Sequence, residues 1–128
     1  MTRSAATTGT HGHHQSLGSY GEGLAARHLV ERGMVLLDRN WRCTAGEIDL
    51  VLRDGDVLVV CEVKTRSSND FGTPHEAVTP DKVNRLRRLA AAWLAAHAAR
   101  PTGIRLDLVA VLRPRRGPTT IEHVRGLG

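Results

Sequence analysis

The chain has 128 residues, of which 41% are hydrophobic and 24% are charged, values that are ordinary for a globular protein with one core. No apolar run approaches the ~18 residues of a membrane-spanning helix, and the first residues lack the apolar segment of a secretory signal. These features argue against a membrane protein and predict a cytoplasmic one.

The basic residues are unevenly distributed along the chain. The formal net charge is +5, and residues 82–116 contain many cations but only one acid, Asp107. Such a field favours a polyanionic partner, above all nucleic acid. Alternatively, arginine simply replaces lysine on solvated faces, and charge alone does not separate the two interpretations. The cations are Lys82, Arg85, Arg87, Arg88, Arg100, Arg105, Arg113, Arg115 and Arg116.

The beginning of the chain differs in composition from the rest. Residues 1–17 are rich in Ser, Thr, Gly and His and have no apolar period, which predicts a flexible tail. The histidines at positions 11, 13 and 14 could bind stray metal, but the composition favours the tail. A single domain is predicted over residues 18–128.

Cysteine usage excludes two kinds of stabilisation. Cys43 and Cys61 are the only cysteines, and they form no CxxC pair and no paired Cys/His spacing. We therefore predict neither a structural zinc site nor a disulfide scaffold, and we expect both cysteines to be reduced packing residues.

The first predicted elements are a helix and a strand. SYGEGLAARHLVERG carries an apolar stripe, with Ser19 as its N-cap and Gly33 just beyond its end. MVLLDRNWR is a short apolar run that is typical of a strand. Trp41 in this run, like Trp93 further on, is predicted to lie in or beside the core.

A hairpin and a loop follow. EIDLVLRD and VLVVCEVK are two hydrophobic runs, and the Asp54-Gly55 pair between them is a strong hairpin signal. Residues 65–79 are polar and rich in turn-forming residues, so a loop is predicted there.

The second half predicts one more helix and one or two strands. Thr79 is a good N-cap, Pro80 suits the first helical position, and an apolar stripe runs from Val83 to Leu94. Lys82, Arg85 and Arg88 fall away from this stripe. RLDLVAVLR predicts a strand, RPRRGP a basic turn and TTIEHV a last edge strand. The order of elements predicts an α/β fold with a mixed central sheet flanked by helices.

The hairpin carries charged residues that a buried strand should avoid. Side chains alternate between the two faces of a strand, so Asp49, Glu62 and Lys64 are predicted to share one face. If Asp54-Gly55 forms the turn, Asp49 is diagonal to Glu62; if Gly55-Asp56 forms it, the two acids are directly opposite. Either arrangement brings the three side chains within ~8 Å of each other.

Two neighbouring carboxylates on a partly apolar sheet repel each other unless a cation or a proton intervenes. Oxygen ligands beside a lysine suit Mg²⁺ better than zinc. The alternative is a surface ion pair between Glu62 and Lys64, with Asp49 facing water. Glu47 shares the predicted face of Asp49, so which acid matters stays open.

GEIDLVLRD followed by VLVVCEVKTRS resembles the motif of the PD-(D/E)xK nuclease superfamily, with Asp49 as the first acid and Glu62-Val63-Lys64 as the ExK element. More narrowly, residues 18–112 look like the YraN-like family of uncharacterised bacterial proteins, which is similar to archaeal Holliday-junction resolvases. The blocks that carry the resemblance are GEGLAARHLVERG, LLDRNWR, GEIDL, CEVKTRS, FGTPHEAVTPDK and RLDLVAV.

The resemblance implies a restriction-endonuclease-like (resolvase-like) core that hydrolyses phosphodiester bonds with Mg²⁺, for which Mn²⁺ could substitute. Asp49, Glu62 and the Val63 carbonyl would bind the metal, and Lys64 would assist the attacking water. The proline that usually precedes the first acid in the superfamily is replaced here by Ile48.

Glu22 has two competing explanations. It matches the position of a glutamate on the first helix that joins the site in the resolvases, where it would bind a second metal or a metal-bound water. It also lies three residues after Ser19, so the pair fits a capping box.

The resemblance and the charge together predict a metal-dependent endonuclease acting on DNA, including branched DNA. A two-fold homodimer would suit symmetrical cutting of two strands. Alternatives are a non-catalytic nucleic-acid-binding module of the same fold and a small interaction protein with a solvated charged sheet face. His75 and Asp107 are weaker site candidates, and Asp107 could equally bond Arg105. The residues predicted to hold phosphates are Lys82, Arg85, Arg88, Arg115 and Arg116.

Overall fold

A computed structural model describes residues 16–68, 74 and 78–128. In this part of the chain the order is one helix, three strands, one helix and two strands, which confirms the predicted order. Neither described helix combines the length and the apolar composition that spanning a bilayer demands. The elements are α1 (Leu17–Glu31), β1 (Val35–Cys43), β2 (Gly46–Asp54), β3 (Val57–Arg66), α2 (Pro80–His97), β4 (Gly103–Leu112) and β5 (Thr120–Val124).

The five strands form one mixed sheet in the order β1-β2-β3-β4-β5. β3 and β4 pair in parallel and all other neighbours pair antiparallel. A parallel pair needs a long crossover, which here contains α2. The predicted mixed α/β sheet flanked by helices is confirmed.

The two helices cover opposite faces of the sheet. On one face, α1 packs Leu29 against Leu50 and Val59. On the other face, α2 packs its buried apolar stripe against Val60 and Leu108. Trp93 belongs to this second core and Trp41 packs against it, as predicted, and both cysteines are free.

The first helix begins earlier than predicted. Ser16 is the N-cap, and its hydroxyl accepts a hydrogen bond from the Ser19 backbone N–H, so the predicted cap at Ser19 is wrong. The capping-box explanation of Glu22 is wrong with it, because Glu22 lies in the interior of α1. Leu17, assigned to the tail, is helical. The rest of the predicted tail, residues 1–15, lies outside the described residues.

Both helices end in left-handed residues. Gly33, at a φ of 99°, follows the Arg32 C-cap as predicted. The N–H groups of Gly33 and Met34 donate to carbonyls of the last turn, which satisfies groups that the helix end leaves free. The second helix begins as predicted, with Thr79 as N-cap, and ends before Ala98, at a φ of 50°.

The hairpin between β2 and β3 has the second of the two predicted geometries. Asp54 pairs with Val57, so Gly55 and Asp56 form the turn, and Gly55 takes a φ of 61°. At its other end β3 continues to Arg66, so the predicted start of the loop at residue 65 is wrong.

Asp107 is fully buried and lies in a polar network on β4 and the C-terminal residues. Its carboxylate accepts hydrogen bonds from Arg105 Nε at 2.9 Å and from the Gly126 N–H at 3.1 Å, and His123 Nε2 lies 2.7 Å away. Burial alone would raise the pKa of Asp107, but the bonds from Arg105, Gly126 and His123 hold it below its usual value. This network fastens β5 and the chain end to the sheet.

Asp107→Asn is expected to lower the free energy of unfolding by about 3 kcal/mol at pH 7, because it removes the buried carboxylate that Arg105 and His123 contact and leaves Arg105 with Asp54 as its carboxylate partner among the described residues. Urea denaturation measures the change. The difference from the wild type should shrink below about pH 4, since an acid with a depressed pKa stabilises only while it is ionised. Glu122→Gln, at an exposed position on β5, is the control; equal losses in both variants would contradict the role of the network.

Candidate functional site

A cleft of about 520 Å³ lies between the C-terminal half of β3 and the N-terminal turns of α2. It brings together Asp49, Glu62 and Lys64, the three charged residues that the sequence predicts to share one face. The lining residues are Asp49, Glu62, Val63, Lys64, Thr79, Asp81, Lys82 and Arg85.

Asp49 sits where the sheet departs from simple alternation. Ile48 and Val51 both belong to the core under α2, whereas Leu50 between them belongs to the core under α1. On the neighbouring strand, Asn40 takes a left-handed φ of 55° beside the same point. The strict alternation expected from the sequence therefore fails here.

The pairing between β2 and β3 also ends at this point. The last ladder pair is Leu50 with Cys61, and beyond it the Asp49 carboxylate accepts a hydrogen bond of 2.8 Å from the Val63 backbone N–H. The side chain thus replaces a strand partner and holds Asp49 at the cleft. Asn tolerates a left-handed φ better than most residues, so an asparagine within a predicted strand, Asn40, was the sequence signal that could have indicated this irregularity.

Glu62 is bound by two cations from α2. Its Oε1 lies 2.7 Å from Arg85 Nη2, and its Oε2 lies 3.0 Å from Lys82 Nζ. The alternative of a surface ion pair between Glu62 and Lys64 is wrong, because these partners come from α2 and the Glu62 side chain is only 11% exposed. Lys64 forms no ion pair with the described residues.

Burial raises the pKa of Asp49 to about 6, against the opposing effect of the Val63 hydrogen bond. The charges of Glu22, Glu62 and Glu47, in that order, contribute to this raised pKa. Glu22 on α1 is therefore close enough to act on Asp49.

The approach of α1 to β3 depends on Gly21. A Cβ at this position would overlap the Thr65 side chain, whose buried Oγ1 has no hydrogen-bond partner among the residues that the structure describes. Glycine thus lets the helix lie against the strand that carries the site, and it brings Glu22 with it.

The donor chemistry of the cleft fits a hard cation. Asp49, Glu62 and the Val63 carbonyl offer oxygen ligands only. In the described part of the chain no three acidic, histidine or cysteine side chains converge to form a ready metal cage. Mg²⁺ does not need one, because it commonly takes one or two carboxylates together with waters and substrate phosphates.

The remaining predicted residues lie elsewhere. Arg88 is exposed on α2 and does not line the cleft, and Glu47 pairs with Arg42 at 3.6 Å. Arg115 and Arg116 are exposed in the β4–β5 turn, at the end of the sheet where β3 also ends. His75 lies outside the described residues. Asp107 belongs to the network with Arg105, the second of its two predicted roles.

Two features of the site region are not predicted from the sequence. Lys82 and Arg85 lie away from the apolar stripe, as predicted, but their contact with Glu62 was not expected. The contact of Arg113 with the Tyr20 ring, 4.5 Å from the guanidinium carbon to the ring centroid, was not expected either, and it ties α1 to the basic turn.

Fold and site together define an α/β protein with a mixed sheet and a cleft lined by carboxylates and cationic side chains. The family model "Uncharacterised protein family UPF0102" matches residues 21–111, and the chain belongs to this family. It is 69% identical to a UPF0102 protein of Nocardioides sp., covering 89% of this chain and 92% of that one. UPF0102 proteins of Kineococcus radiotolerans (61%; 88% and 93% covered) and Streptomyces coelicolor (60%; 88% of both) are similarly close. The predicted membership of the YraN-like family is confirmed.

Asp49→Asn is expected to raise the melting temperature at pH 7.5 by about 4 °C or more, since it removes a poorly solvated charge while Asn can still accept the Val63 bond. The folded-state pKa of Asp49 is raised to about 6, so its protonated form favours folding below about pH 4, and this stability is lost as the pH rises through 6.

The gain should therefore vanish near pH 4, measured by thermal denaturation at several pH values. Asp56→Asn, in the exposed hairpin turn, is the control. A gain in melting temperature that stays constant with pH, or no gain at pH 7.5, would show that the ionised Asp49 does not destabilise the fold.

Proposed function

We propose that this protein is a metal-dependent endonuclease that hydrolyses phosphodiester bonds in DNA, including branched DNA. The observation that carries the proposal is one cleft in which Asp49 and Glu62 lie beside Lys64, a cation without an ion-pair partner among the described residues. Metal-assisted phosphodiester hydrolysis needs carboxylates that bind the metal and cations that bind the phosphate, and this cleft contains both.

Each residue has a role that follows from its place. Asp49, Glu62 and the Val63 carbonyl would hold Mg²⁺, for which Mn²⁺ could substitute, and Glu22 would extend the donor set from α1. The bound metal would polarise the phosphate and lower the pKa of water. Lys64 would orient the attacking water or stabilise the negative charge that develops on the phosphate.

The fold supports the same proposal at a coarser level. We propose that the mixed sheet with one helix on each face is a restriction-endonuclease-like core of the resolvase type. The acid at the strand bend in β2 and the Glu62-Val63-Lys64 segment on β3 have the order of that motif. A two-fold homodimer would suit symmetrical cutting of two strands.

The substrate would be held by cations around the cleft. Lys82 and Arg85 line it, and Arg115 and Arg116 extend the positive surface at the same end of the sheet. Contacts of this kind neutralise backbone phosphates without reading sequence, which is suitable for an enzyme that recognises DNA structure.

A second candidate is a non-catalytic nucleic-acid-binding module with the same fold. The observation that favours it is that both oxygens of Glu62 are already in ion pairs with Lys82 and Arg85. If these ion pairs were permanent, the cleft would lack one of its two metal-ligating carboxylates.

Cleavage of structured DNA separates the two candidates. With Mg²⁺ or Mn²⁺, the wild type should cut at least one of a set of duplex, flap and four-way-junction substrates. Lys64→Ala should bind that substrate about as well as the wild type but cut it roughly 10²-fold more slowly, because the lost group acts mainly in the transition state. Single-turnover rates and metal-free dissociation constants measure the two effects.

The control is Arg100→Ala, which removes one positive charge outside the cleft and should leave the cleavage rate unchanged. RNA versions of the same substrates test the preference for DNA. If the wild type cuts nothing with either metal and Lys64→Ala only weakens binding, the protein is a binding module.

A further inference from the structure

Glu62 is held by two cations that come from one face of α2. Lys82 and Arg85 are three residues apart, which places them side by side on the helix. Each takes a different oxygen of the carboxylate, at 3.0 and 2.7 Å. Neither oxygen is therefore free of an ion pair.

The three side chains differ in their access to solvent. The Glu62 side chain is 11% exposed, whereas those of Lys82 and Arg85 are 20% and 43% exposed. A carboxylate with so little water around it depends on its cations. The cations are more accessible and line the cleft, so an anion entering the cleft can reach them.

This arrangement opposes either kind of ligand when it arrives alone. A divalent cation that approaches Glu62 meets the charges of Lys82 and Arg85. A phosphate that approaches Lys82 and Arg85 must compete with Glu62 and also meets the charge of Asp49. When both ligands arrive, the metal can take the acids and the phosphate can take the cations, so every charge keeps a partner.

We propose that Lys82 and Arg85 form an exchangeable latch on Glu62, which divalent metal and nucleic-acid phosphate release together. The latch rests on the proposed function for the identity of its two ligands. It makes Lys82 and Arg85 ligands of Glu62 in the free protein and ligands of phosphate in the complex. The apparent loss of a metal-ligating carboxylate is then the resting state of the site.

The latch predicts a definite thermodynamic coupling. Because metal frees the two cations and phosphate frees the acid, each ligand should increase the affinity for the other by the same factor. Removing the cations should also let metal bind to the free protein without this competition.

The first experiment is calorimetric titration of the nucleic-acid-free protein with Mn²⁺ at about 0.15 M salt, where charges more than about 8 Å apart are largely screened. Lys82→Gln/Arg85→Gln should bind Mn²⁺ about tenfold tighter than the wild type, within the usual range of coupling energies. The control, Arg87→Gln/Arg100→Gln, removes two positive charges outside the cleft and should bind within about twofold of the wild type.

Circular dichroism establishes that each variant is folded, and the single variants Lys82→Gln and Arg85→Gln serve if the double variant is not. Equal Mn²⁺ affinity in the wild type and the folded latch variants would overturn the proposal. So would an equal gain in the control, which would reduce the effect to net charge. Absence of Mn²⁺ binding in every variant would overturn it as well.

The second experiment measures binding of a short DNA duplex in EDTA. Glu62→Gln should tighten binding about fivefold or more in the wild-type background, since it frees both cations, but by less than about twofold when Lys82→Gln/Arg85→Gln is also present. Equal tightening in both backgrounds would mean that Glu62 acts only by long-range repulsion, and the latch would be wrong.

Neither experiment measures cleavage, so the latch and the proposed nuclease activity are tested independently. A protein that shows the Mn²⁺ and duplex effects but cuts no substrate retains the latch and loses the proposed enzyme. A protein that cuts DNA but shows neither effect retains the enzyme and loses the latch.

Discussion

The site depends on one hydrogen bond, from the Val63 backbone N–H to the Asp49 carboxylate at 2.8 Å. It forms where the β2–β3 ladder ends and where the alternation of side chains between the two faces breaks in both β1 and β2. The Asp49 side chain therefore accepts the hydrogen bond that a strand backbone would otherwise accept. The bond fixes a poorly solvated acid in the cleft. If β2 kept strict alternation, the residues on either side of Asp49 could not occupy the cores in which they are found.

The two acids of the site differ in how their charges are compensated. Glu62 is compensated by Lys82 and Arg85, whereas the hydrogen-bond donor to Asp49 among the described residues is a neutral backbone amide, and burial raises the pKa of Asp49 to about 6. A stability cost of this kind at a cleft is typical of groups retained for function. The Asp107 network, with its lowered pKa, shows the contrasting case of a buried acid whose partners make it stabilising.

Local signals in the sequence predict most of the fold. Gly33 and Thr79 locate two helix boundaries, and the Asp54-Gly55 pair predicts the hairpin although Gly55 and Asp56 form its turn, because caps and tight turns depend on residues close in sequence. The shared cleft of Asp49, Glu62 and Lys64 also follows from strand parity. The left-handed backbone at Asn40 and the contacts of Lys82 and Arg85 with Glu62 could not be predicted in this way, because both are set by packing between distant segments. The Ser16 cap was missed because Ser19 offers the same local chemistry.

The most direct test of the account is whether Asp49 binds a divalent cation. Mn²⁺ titration followed by calorimetry, with a short uncleavable phosphorothioate duplex present, should give saturable binding to the wild type. Asp49→Ala should abolish that binding while leaving the circular dichroism spectrum unchanged, and Glu47→Ala, which removes an acid paired with Arg42, should retain it. Unchanged Mn²⁺ binding in folded Asp49→Ala would contradict the account.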